Sequence, residues 1–148
     1  MNIAKTTSLY NWAEGSRPLQ ASVYLLTNAL DGRLLDGPWV RRRRDDGYWF
    51  DAERAVSHSG YLSGGQRRVL LIAASLADST HPVDLHDTIA GLDASSFVAV
   101  VQAFGVAVGL NDTDDTDDSH RDSVASSQHD TVAGVVKAYD TVSDADKE

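Results

Sequence analysis

The chain has no cysteine, three prolines and three glutamates in 148 residues, and no long apolar run. Each shortage excludes something. Without thiols there is no disulfide scaffold, thiolate metal site, Cys nucleophile or redox switch, so any chemistry must come from Ser, His, carboxylates, Arg or backbone amides. No window approaches the roughly eighteen apolar residues of a membrane span, and Met1-Asn2-Ile3-Ala4-Lys5-Thr6 lacks the apolar stretch of a secretory signal. The expectation is a soluble cytoplasmic protein without a membrane partner. No zinc helix of the H-E-x-x-H type and no G-x-S-x-G elbow occurs, and no nucleophile, base and orienter set can be assembled. A non-enzymatic protein with no catalytic residues, no metal and no cofactor follows as the expectation.

Acid is present in excess, but only in one place. The formal net charge is -9. Residues 1–110 carry ten Lys/Arg and eleven Asp/Glu, net -1, whereas residues 111–148 carry three and eleven, net -8. The run Asn111-Asp112-Thr113-Asp114-Asp115-Thr116-Asp117-Asp118 has nothing to bury and much to repel, so 111–148 reads as an acidic, largely disordered tail. Its first Asp residues do not make a calcium loop, because Asp117 stands where the turn needs Gly and Ser123 where a bidentate Glu belongs. Val132, Val135, Val136 and Tyr139 allow one short helix near 130–141, which needs a surface to dock on: this body, a second copy, or a partner. With 42% hydrophobic residues, 1–110 can form one compact core.

Within 1–110 the apolar spacing is mainly helical. Leu9, Tyr10 and Trp12 start a short helix that Gly15 ends; Ser16 caps the next, whose face is Leu19, Val23, Leu26 and Leu30. The period then changes. Trp39 to Arg44 and Tyr48-Trp49-Phe50, flanking Asp45-Asp46-Gly47, predict a β-hairpin near 39–51. Asp51 caps a short helix, and Ser63-Gly64-Gly65-Gln66 is a capping box for a helix to about Ala77 with Val69, Ile72, Ala73 and Leu76 inward. Leu85, Ile89 and Leu92 predict a short helix from Asp84. Asp93 caps the last, whose Phe97, Val100, Val101, Phe104 and Val108 make it the expected central core helix. The fold class is therefore mainly α (α+β): a compact multi-helix domain with one two-stranded hairpin and an acidic arm.

Three constellations bear on function. Leu62-Ser63-Gly64-Gly65-Gln66-Arg67-Arg68 resembles the signature motif of ABC-transporter-type ATPases, and Gly91-Leu92-Asp93 is similar to that family's D-loop. The resemblance implies a phosphate contact at this helix start. It covers about thirty residues; the family's G-x-x-x-x-G-K-S/T loop is absent, and Pro82-Val83-Asp84-Leu85-His86-Asp87 is not its apolar strand ending in Asp-Glu. What is left is a binding reading, in which exposed amides of Ser63, Gly64 and Gly65 with Arg67 and Arg68 attract an anion, against the plainer one of a capped core helix. The run Arg41-Arg42-Arg43-Arg44, next to Trp49, has the basic and aromatic mixture of a single-stranded nucleic-acid surface, or is an ion-paired hairpin edge. His81, His86, Asp84 and Asp87 have no specific metal spacing. Gly91-Leu92-Asp93 has the outline of a helix-turn-helix, but the following helix has no Lys or Arg to read DNA. The favoured expectation is a binding or accessory protein acting through protein contacts, with a protein partner or self-association.

Overall fold

The computed structural model describes residues 2–110. The expectations for 111–148, an acidic arm with a helix near 130–141, lie outside the described residues. The mainly helical class with a two-stranded antiparallel hairpin is observed. Among the described residues no helix is long and apolar enough to cross a membrane.

The six α-helices of the described residues begin where local chemistry allows. α1 (Ile3–Trp12) is capped by Asn2, α2 (Arg17–Asn28) by Ser16, α3 (Ala52–His58) by Asp51, α4 (Gly64–Ala77) by Ser63, α5 (Leu85–Ala90) by Asp84 and α6 (Ala94–Val108) by Asp93. In each, a side-chain oxygen accepts an amide that the first turn cannot satisfy internally. α1 starts six residues before the apolar pattern that announced it, because Thr6, Thr7 and Ser8 carry no apolar period. Ser8 instead ties the hairpin to α1, its Oγ accepting the Tyr48 amide at 2.7 Å.

α2 is the central helix, buried along Ala21, Ser22, Val23, Leu25, Leu26 and Thr27. Its two buried hydroxyls are satisfied inside the helix, Ser22 donating to the Leu19 carbonyl and Thr27 to that of Val23. α4 and α6 both pack on α2. α2 stops at Asn28, two residues before the expected Leu30. Leu30, Asp31 and Gly32 all take left-handed backbone, φ 55°, 57° and 74°, and reverse the chain through 3-10 turns over Ala29–Asp36. Trp39 then closes the core, with its indole Nε1 donating to the Leu34 carbonyl at 2.7 Å and Tyr61 stacked on its ring.

The hairpin pairs β1 (Val40–Arg42) with β2 (Tyr48–Phe50) in the register Val40–Phe50, Arg41–Trp49 and Arg42–Tyr48. Phe50 is buried, and Trp49 meets Trp12 of α1 at a centroid distance of 6.4 Å.

Two expectations about faces are corrected. α6 is not the central helix. It presents its small residues Ser96, Ala99 and Ala103, with Val100, to α2, while Phe104 and Val108 stay exposed and Phe97 and Val101 half-buried. Small side chains let two helices approach closely, so the bulkier stripe is turned away. Tyr24 of α2 donates to Gln102 of α6, and the Arg17 guanidinium lies against Gly109, so the two helices run antiparallel. In α5, Leu85 and Ile89 are exposed and Thr88 is the buried residue. Thr88 can be buried because its hydroxyl donates back to the Asp84 carbonyl.

Candidate functional site

The Ser63 helix start folds as its sequence implies. The Ser63 Oγ accepts the Gln66 amide at 3.3 Å, and Gln66 Oε1 accepts the Ser63 amide at 3.2 Å. Both groups are thereby engaged in capping, which leaves the amides of Gly64 and Gly65 at the helix mouth. A groove of about 500 Å3 opens beside them, lined by Gly64, Arg67, Arg68 and Leu71 of α4 and by Asp87, Thr88, Ala90 and Gly91 from α5 and its end.

Of the five expected residues, Gly64, Arg67 and Arg68 meet in this groove; Ser63 and Gly65 do not line it. Arg67 is held by its Nε, which donates to Ser59 Oγ at 3.3 Å. Arg68 lies across the groove from one glycine to another. A Cβ on Gly64 would fall 2.9 Å from its Nη1, and one on Gly91 would fall 2.2 Å from its Cζ. Gly91 therefore gives the guanidinium its place. Neither Arg67 nor Arg68 forms an ion pair among the described residues. Asp87 offsets part of their charge, so the lining carries two cations and one carboxylate. Thr88 and Ala90 had no signal in the sequence, whereas Gly91 was visible as part of the Gly-Leu-Asp turn.

The hairpin constellation is arranged differently. All four of Arg41, Arg42, Arg43 and Arg44 are exposed. Three are paired with carboxylates of the hairpin itself or its end: Arg41 with Asp51 at 3.1 Å, Arg42 with Asp46 at 2.7 Å and Arg43 with Asp45 at 3.2 Å. Over residues 41–51 four Arg stand against three Asp, a local net charge of +1. Arg41 also lies over the Trp49 ring, 5.7 Å from its centroid. Trp49 thus meets both Arg41 and Trp12.

No group of three or more His, Asp or Glu gathers to hold a metal ion among the described residues. His81 and Asp78 approach only to 3.9 Å.

A third surface, which its apolar pattern assigns to the interior, lies outward. Phe97, Val101, Phe104 and Val108 are spaced 4, 3 and 4 residues apart, which places them in one stripe along α6, about 120° round from the stripe that packs on α2. Phe104 is 38% exposed and Val108 67%. Leu110, 64% exposed, extends the apolar surface past the helix end. From Ala94 through Leu110 there is no charged residue.

No protein-family model matches the chain, and neither a curated protein nor a solved structure matches it.

Proposed function

We propose that this chain is a small, non-enzymatic cytoplasmic binding protein that acts through protein contacts, with the outward face of α6 as its contact surface. The observation that supports this reading is the uncharged run Ala94–Leu110, in which Phe104, Val108 and Leu110 are exposed. Interface cores are depleted in charge and enriched in aromatic residues, and contiguous exposed apolar surface mostly marks an interaction site. The test uses the immobilised full chain and its Phe104→Asp variant, with the fold of both checked by circular dichroism. An identified protein, a second copy included, is to be retained by the first and lost by the second. If nothing that binds depends on Phe104, the reading fails.

A second reading is favoured by one observation, the groove at Gly64, Arg67, Arg68 and Gly91. Two cations and a helix mouth there suit a phosphate-bearing ligand, a nucleotide among them. A ligand at a hundred times its dissociation constant stabilises by about 2.7 kcal/mol, so millimolar ATP or inorganic phosphate should raise the melting temperature by several degrees. Gly91→Ala, which displaces Arg68, should remove that rise. Equal melting temperatures with and without both ligands sink this reading. Single-stranded nucleic acid on the hairpin has less support, because the Arg charge is already offset locally. Its test is oligonucleotide binding by the full chain at low salt.

A further inference from the structure

Resting on the α6 reading above, we infer that the occupant of this face is a second copy of this chain, its α6 paired antiparallel with the first about a two-fold axis. Three features of the helix point the same way.

The first is the order of its side chains. Along the stripe the sequence runs Phe97, Val101, Phe104, Val108. Read backwards it runs Val, Phe, Val, Phe. An antiparallel pair with its axis between Gln102 and Ala103 therefore sets Phe97 opposite Val108 and Val101 opposite Phe104, each in both directions. Large meets small along the whole seam, which is what close packing requires. A parallel pair in register would oppose Phe to Phe and Val to Val, leaving alternate clashes and gaps.

The second is charge. A two-fold contact brings a surface against itself, so a patch with net charge repels its own copy. This one has no charge over seventeen residues, Ala94 to Leu110. A partner recognised by ion pairs would find nothing here to pair with.

The third concerns the two helix ends. The chain passes from Leu110 directly into residues 111–148, net -8. Parallel pairing would bring both points of entry together; antiparallel pairing separates them by about 22 Å, more than two Debye lengths in physiological salt. The helix dipoles are opposed as well.

One helix face of this length falls below the ~800 Å2 per partner of a standard interface, so the pair belongs to the weak class, with a dissociation constant of roughly 10 to 1,000 micromolar. Sedimentation equilibrium of the purified full chain tests this. The expected result is a mass rising from 16.0 kDa towards twice that value with concentration. Val101→Lys, at a half-buried position of the stripe, and Phe104→Asp, at an exposed one, should each weaken association at least about thirty-fold when alone. Mixed in equal amounts they should restore it, because antiparallel pairing puts the new Lys opposite the new Asp. A mass of 16.0 kDa at every concentration overturns the inference, as does self-association undiminished in both variants. A mixture that recovers nothing overturns the antiparallel arrangement. A monomeric chain that still holds an identified Phe104-dependent partner would leave the contact-surface reading standing and remove only the second copy.

Discussion

Gly37 lies against the indole of Trp39 so closely that a Cβ built on it would fall 2.0 Å from Cζ2. Trp39 is 1% exposed and is held by its hydrogen bond to Leu34, so the ring has nowhere to move. Gly37→Ala should therefore destabilise the protein by about 1–3 kcal/mol, the range for overpacking. Gly60→Ala is the control, since a Cβ there meets nothing within 4 Å. Urea midpoints compare the two. A Gly37→Ala midpoint no lower than that of Gly60→Ala would show that the ring can yield.

Asp51 serves two elements at once. Its Oδ1 accepts the Arg54 amide at 3.0 Å, starting α3, while Oδ2 is 3.1 Å from Arg41 Nη1. Asp51→Ala should cost ~1 kcal/mol through the lost cap, and Arg41→Ala about 0.2–1 kcal/mol, as for other exposed ion pairs. Salt separates the contributions. In roughly 1 M NaCl the Arg41→Ala effect should shrink, while most of the Asp51→Ala effect should remain because a cap is a short-range hydrogen bond. Thermal melts at low and high salt measure both.

Stability should fall on the acid side, with the sign set by two hydrogen-bonded carboxylates, the α6 cap Asp93 and the turn residue Asp78. Asp93 is held below the usual carboxylate range chiefly by the Ser96 backbone amide, and Asp78 by the backbone amide and then the hydroxyl of Thr80. A depressed folded-state value means that these groups contribute fully above the ordinary carboxylate value of 3.8, and that the contribution disappears as pH falls through the folded value. Melting temperature should therefore fall below about pH 4. The Asp78→Asn/Asp93→Asn double variant should have a shallower acid limb, because Asn still accepts the Thr80 and Ser96 amides but does not titrate. An unchanged limb in the double variant would contradict the assignment.

What could be read in the sequence is largely what acts over three or four residues. Ser16, Asp51, Ser63 and Asp93 were all legible as caps, because a side-chain oxygen and the amide it accepts lie within one turn. Asp45-Asp46-Gly47 was legible as a hairpin turn, and Asp46 does take φ 62° there. The groove was half legible. Gly64, Arg67 and Arg68 follow one another on α4, but Asp87, Thr88 and Ala90 arrive through the packing of α5, which no local pattern records. The pairing of Arg41, Arg42 and Arg43 with Asp51, Asp46 and Asp45 also needed the hairpin to close.

The helix starts after α1, the hairpin and the near neutrality of residues 1–110 were thus determined by the sequence alone, since each depends on neighbours along the chain. Which helix is central, and which way α6 faces, only the tertiary structure decided. Residues 94–110 have no charged face to mark the outside, so the apolar period cannot tell one stripe from the other. The choice went to Ala99 and Ala103, whose small size lets α6 approach α2, and Phe104 and Val108 were left outward.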